Sequence, residues 1–281
     1  MKKIIQINLL LLITFLTACS STRLIYTLAG EFIQDEITYF FNLDEEEEIF
    51  LDRQVKEMII WHRKFMLPNY AGYLNDLADK LVTGQYKSVD INNALIRGRS
   101  LIDETVNGLT PRASKFLIRH QSFDSIKFME KKMDIRRKER LEKISKSEDV
   151  LYVDRVNRLM SNFERFFGPL NDKQIVMLEE HSRVTLDDFR IRLHNRTKRQ
   201  EAFVEFLRTK PTEEELTFFL NKLLLQGYEI TNPTYKYFSE ASLERFQKLL
   251  VNILTISSTV QREKIISKIR GYAKDFISIS G

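Results

Sequence analysis

Nine glycines and five prolines are all that punctuate this chain of 281 residues, about 5% where soluble proteins carry roughly 12%. Tight reversals need glycine's freedom at positive φ or proline's fixed φ. Sandwiches, propellers and doubly wound nucleotide folds are therefore excluded, because each turns too often. Long helices remain. The apolar share of 43% is enough to bury a core, which excludes wholesale disorder.

Apolar residues recur at helical spacing through most of the chain. Leu51, Val55, Met58, Ile59, Phe65 and Met66 form one stripe, and Tyr70, Tyr73, Leu74, Leu77, Ala78 and Leu81 a second. Further stripes run from Ile91 to Val106 and from Val156 to Phe167. One-sided stripes must bury against one another, so the spacing predicts an all-α multi-helix bundle of about nine to eleven amphipathic helices. Pro68, Gly84, Pro111, Gly168-Pro169, Pro211 and Pro233 fall between stripes, where helices should start or stop. Thr212 with Glu215, and Ser258 with Gln261, have the spacing of capping boxes. The segments Leu109 to His120 and Leu170 to His181 match at an offset of 61 residues. This suggests either a duplicated helical hairpin or two amphipathic helices with similar starts.

The amino terminus carries an address. Lys2 and Lys3 precede an apolar run from Ile4 to Leu16, which ends in Leu16-Thr17-Ala18-Cys19. A run of that length makes roughly 20 Å of helix, too short for the roughly 30 Å bilayer core, so it reads as a secretion signal. Leu-Thr-Ala-Cys looks like the lipobox of bacterial lipoproteins, in which the cysteine is acylated and becomes the new amino terminus. Cys19 is also the sole cysteine, and a lone exported thiol is consumed by such a modification. The expected organisation is a signal peptide over 1–18, a lipidated terminus and first helix over 19–43, and one helical domain over 44–281. Ser20 in place of aspartate fits an outer-membrane address, with the body facing the periplasm, under the sorting rule of enteric bacteria.

Charge is uneven. Residues 22 to 60 hold ten acidic and three basic side chains, while Lys127 to Lys146 holds nine basic and four acidic. Within the latter, Lys131, Lys132, Arg136, Arg137, Lys138 and Arg140 could grip an anionic envelope polymer or headgroup. The same interleaving of signs also describes a solvated helix face. Nucleic acid is not an expected partner of an exported chain.

Known catalytic signatures are missing from the sequence. There is no phosphate-binding glycine loop, no Gly-x-Ser-x-Gly and no His-Glu-x-x-His. No histidine follows a carboxylate at three residues, so no carboxylate-bridged metal site, and no cofactor, is expected. His120 and His181 each follow an apolar pair, Phe116-Leu117 and Met177-Leu178. They read as hydrogen-bonded core histidines, or as two imidazoles brought near each other by the repeat.

The run from Trp61 through His62, Arg63 and Pro68 to Tyr70 is the most distinctive. His62 falls on the stripe of Leu51, Val55, Met58 and Phe65, so its imidazole needs a partner. Two readings stand: a helix-helix elbow at Pro68 walled by Trp61 and Tyr70, or a small ligand pocket formed by Trp61, His62 and Arg63.

These residues resemble a known family. Leu24-Ile25-Tyr26 after the lipobox, Tyr39 with Leu43-Asp44, Trp61-His62-Arg63, Leu67-Pro68-Asn69-Tyr70-Ala71, and Gly168-x-Leu170 with Gln174 are similar to the helical proteobacterial lipoproteins catalogued as domain of unknown function 6279. Met66 departs from the acidic residue expected before Leu-Pro, and Asn171 from the usual threonine. The resemblance implies an exported, lipid-anchored helical protein and supplies no activity. The expected function is thus non-catalytic: an envelope lipoprotein that binds a protein or an anionic polymer, the alternative being a carrier or sensor of a hydrophobic ligand held between helices.

Overall fold

The computed structural model describes residues 21–281, so the signal segment and Cys19 lie outside the described residues. Every regular element among those described is helical: α1 (Ser21–Thr27), α2 (Ala29–Phe40), α3 (Glu45–Trp61), α4 (Leu67–Val82), α5 (Ser88–Leu117), α6 (Phe123–Ile144), α7 (Glu148–Phe167), α8 (Asp172–Val184), α9 (Asp188–Arg208), α10 (Glu213–Thr231), α11 (Tyr235–Thr255) and α12 (Thr259–Ser280). Only Leu28 parts α1 from α2, and a π-helical turn, His62–Met66, joins α3 to α4. The chain is an all-α multi-helix bundle.

Side-chain caps set the starts. Asp44 with Glu47, Asn171 with Gln174, Thr212 with Glu215 and Ser258 with Gln261 each form a reciprocal capping box, satisfying two of the amide groups a helix start leaves unpaired. At the end of α7, Gly168 takes φ +79°, the left-handed stop that a side chain disfavours.

One proline does not act as the spacing predicts. Pro111 lies inside α5, whose 30 residues span roughly 45 Å. Proline strips Asn107 of the amide that would bond its carbonyl oxygen. The Thr110 hydroxyl reaches the neighbouring carbonyls, 3.0 Å from Val106 and 3.5 Å from Asn107, and it lies 2.6 Å from Asn221 Oδ1 on α10. Pro68, by contrast, sits in the first turn of α4, at a helix start as its position predicts. The π turn takes its strain: the Leu67 amide bonds back to the His62 carbonyl, one residue further than in an α-helix, which widens the turn where the proline ring would meet the preceding carbonyls. The added residue also rotates the stripe, leaving Phe65 exposed while Met66 is buried.

Two apolar cores share α5. One gathers α4, the start of α5, α7, α8, α11 and α12 around Phe163, Leu178, Ile253 and Ile265. The other gathers α3, the end of α5, α6, α9 and α10 around Leu51, Phe116, Met129, Leu207 and Leu216. The 61-residue match falls differently in each. Thr110 is buried in mid-helix whereas Asn171 caps α8, so the two segments do not open alike.

Candidate functional site

The distinctive run sits on the π turn, where α1, α4, α5 and α12 meet. The Tyr26 hydroxyl on α1 lies 3.0 Å from His62 Nδ1 and 3.4 Å from the Ile59 carbonyl oxygen, with its ring stacked on the imidazole. The partner that His62 requires is therefore a tyrosine from the first helix. Arg63 Nε donates to the Ile279 carbonyl at 2.9 Å, capping the last turn of α12. Arg23 pairs with Asp275 at 3.6 Å. Tyr70 faces His62 and Phe276 and shares a hydroxyl contact with Thr105 on α5.

Trp61 lies against α5 where that helix has no side chain. A Cβ built on Gly108 would stand 1.9 Å from the indole ring, far inside any tolerated contact. The glycine is there for close approach rather than for a turn.

The electrostatics make this junction a latch. Burial pushes Tyr26 up to about 12, with Arg63 opposing and Tyr70 adding to it. Burial also pushes His62 down from 6.5. A protonated phenol against a neutral imidazole is a stable hydrogen bond, whereas a tyrosine serving as base or nucleophile needs its pKa lowered.

The other two candidate histidines lie on different helices and in different surroundings. His120 is 4% exposed between Phe41 and Phe116, with Nδ1 3.7 Å from Glu47 and Nε2 unpartnered. Burial lowers its pKa against the opposing pull of Glu47. His181, half-buried on α8, is pushed down by burial and by Arg155 and Arg245. The structure does not bring them together. Among the described residues no group of three His, Cys, Asp or Glu side chains is placed to hold a metal ion.

Of the six basic candidates on α6, most have protein partners. Arg136 holds Glu36 at 3.0 Å and covers Tyr39, and Lys132 lies over Tyr39 and Phe128. Acidic N-terminal segment and basic helix thus attract within one molecule. Arg137 and Lys138 both pair with Asp134. Lys131 lines a recess shared with Glu130, Glu201 and Glu205. Arg140 alone of the six turns toward the groove beside α9.

An apolar cavity of about 380 Å³ opens in the first core, between α4, α5, α7, α11 and α12. Leu77, Leu95, Phe163, Phe166, Phe246 and Ile269 are among its walls, with Tyr73 and Asn162 the polar residues there. No helix among the described residues is long and apolar enough to cross a membrane.

The model of the family described as "Family of unknown function (DUF6279)" matches residues 39–234, which take in the π turn but neither α1 nor α12. The chain belongs to this family. The match takes in Trp61-His62-Arg63 and Leu67 to Ala71, and it reaches past 210, where the sequence resemblance thins; Leu24-Ile25-Tyr26 lies ahead of it. No curated protein and no solved structure matches the chain.

Proposed function

We propose that this is a lipid-anchored envelope protein, attached through Cys19 to the outer membrane with its body facing the periplasm, and that it works by binding rather than by catalysis. The observation that carries the reading is the latch. Helix α1, described from Ser21 onward, is tied to the π turn by Tyr26 and to α12 by Arg23. Acyl chains on Cys19, two positions ahead of Ser21 in the sequence, would hold the folded body close to the bilayer surface. Labelled palmitate should enter the protein and be lost in Cys19→Ala, and the protein should fractionate with outer membranes. Crosslinking in intact cells should recover a defined envelope partner above the Cys19→Ala control. Absence of label would remove the reading.

A second reading is favoured by the apolar cavity: carriage or sensing of a lipid whose acyl chain lies between the helices. The walls offer hydrocarbon along most of their length, as an acyl chain requires. Native mass spectrometry of the body made without residues 1 to 19 should show a bound lipid, and Leu95→Trp should expel it. A body that emerges free of lipid from lipid-rich extracts would sink this reading while leaving the first intact.

A further inference from the structure

We infer that the groove between α6, α7 and α9 binds a ligand carrying two or more phosphate groups. The groove measures about 590 Å³ and is open to solvent along one side. Helix α6 supplies Arg140 and Lys143, α7 supplies Arg158, and α9 supplies Arg196 and Arg199. Asp154 is the one carboxylate in its walls, and Lys146 already holds it at 3.1 Å. Arg190 and Arg192, also at the groove, are answered by Asp187 and Asp188. The other five cations form no ion pair among the described residues.

Several other arginines find carboxylates on neighbouring helices, as Arg136 does with Glu36, Arg208 with Glu130 and Arg270 with Asp79. The chain has 39 acidic residues for its 44 lysines and arginines, so partners are not scarce. Here the cations converge on one concavity and crowd one another. Burial, Arg140 and Arg199 together hold the Arg196 guanidinium below its usual range. Convergent like charge costs stability in the free protein, and a bound anion removes that cost.

A second observation points the same way. At the α9 end the groove meets an adjoining recess across Arg199 and Tyr235, which line both. Asn195 lines that recess, is only 2% exposed, and leaves its Oδ1 without a hydrogen-bond partner; the buried Nε of Arg199 is also unpartnered. Buried polar atoms are seldom left so. An anionic oxygen would satisfy the Arg199 Nε–H, whereas Asn195 Oδ1, itself an acceptor, needs a donor such as a water brought in with the anion.

The chemistry selects phosphate. A guanidinium presents paired N–H donors that match two oxygens of a phosphate group, and one phosphate can take forks from more than one arginine. Arg196 with its two neighbours forms one such cluster on α6 and α9, and Arg158 with Lys143 offers further charge on α7 and α6. A single small anion would leave part of the groove unanswered. Phe189, covered by Arg155 and Arg158 at about 5 Å, stiffens the wall and fixes the Arg158 side chain. The inference is independent of the anchor and of the apolar cavity.

The test uses the full acylated chain in non-ionic detergent micelles, with two probes: sodium tripolyphosphate in calorimetry, and micelles doped with cardiolipin or, as control, phosphatidylcholine. Tripolyphosphate should bind and weaken steeply with added salt. Arg140→Gln with Arg196→Gln should bind at least tenfold more weakly, while Lys138→Gln, which removes a cation paired outside the groove, should leave binding unchanged. Arg158→Gln, a single change at an exposed position, serves if the double variant loses its helical circular dichroism. Groove-dependent binding of cardiolipin alone assigns the phosphates to a lipid headgroup, and of tripolyphosphate alone to a soluble polyanion; either supports the site. No binding of either probe at low salt, undiminished binding in the groove variants, or an equal loss in Lys138→Gln overturns it.

Discussion

Gln174 and Gln261 exchange side-chain amide hydrogen bonds, each donating its Nε2 to the other's Oε1 at 3.2 and 2.9 Å. Each is also the third residue of a capping box, its Oε1 accepting from the backbone amide of Asn171 or Ser258. Two helix starts, α8 and α12, are thereby fastened face to face, with Gln261 Nε2 also donating to the Pro169 carbonyl. Both side chains are buried, Gln174 completely. Replacing Gln174 by leucine leaves one Nε2–H of Gln261 and the Asn171 N–H without their acceptor, which should cost about 2–3 kcal/mol in urea unfolding. The double change to leucine should cost clearly less than the sum of the two single changes, because it removes both members of one network. Additive losses would mean the pair does not interact in solution.

Gly108→Ala should be among the most damaging single methyl additions in the protein. Its Cβ would fall inside the Trp61 indole at 1.9 Å, so either the ring leaves or α5 moves away from the π turn. A cost of about 2–4 kcal/mol is expected, typical of severe overpacking, with a red shift of emission from the single tryptophan. Trp61→Leu in the Gly108→Ala background should recover part of the loss.

The two halves of this junction differ in how far the sequence discloses them. Trp61, His62, Arg63, Pro68 and Tyr70 are recognisable as a group because they lie within ten residues. Their partners are not: Tyr26 is 36 positions from His62 and Ile279 lies 216 from Arg63, and periodicity carries no information about which helices cross. Gly108 offers the one local hint, a glycine inside a helical pattern where nothing needs to turn. The same limit explains the prolines. Pro111 reads as a stop because nothing local shows that the helix runs on through it, and the π turn ahead of Pro68 has no distinctive spacing to announce it. The Ser258–Gln261 box is legible at three-residue spacing, but its pairing with Gln174 across 87 residues is not. The groove arginines come from three helices, so the run on α6 exposes only Arg140, with Lys143 close beyond it.

Stability should fall as the solution is acidified below neutrality. Burial lowers the pKa of His62, His120 and His181 in the folded protein. Near pH 6.5 and just below, the unfolded chain therefore binds more protons than the folded one, and unfolding is favoured as pH drops. The contribution is complete above about pH 6.5 and is lost progressively toward the depressed folded values. Urea midpoints at pH 7.5 and 5.5 should differ in that sense, and His120→Gln should flatten the dependence. Tyr26→Phe, which deletes the hydroxyl at His62 Nδ1, should cost about 1 kcal/mol at neutral pH and loosen α1 to proteolysis.

Asp188 joins stability to the groove. It is 7% exposed at the start of α9, where Arg245 of α11 approaches both its oxygens at 3.3 and 3.4 Å, Arg192 lies at 3.6 Å, and the Ser242 hydroxyl donates at 3.3 Å. Arg192 and Arg245 are partly open to solvent, which softens the loss of their shared carboxylate, so Asp188→Asn should lower stability by about 1–2 kcal/mol. The same change takes away the carboxylate that answers Arg192, whose side chain reaches the groove. Phosphate binding should therefore tighten, and its salt dependence steepen, in a variant that unfolds more easily. Weaker binding at a temperature where Asp188→Asn is still fully folded would mean that Asp188 acts by holding the groove's shape. Unchanged binding would mean that Arg192 does not reach the ligand. Thermal melts and tripolyphosphate titrations on the same preparation separate the three outcomes.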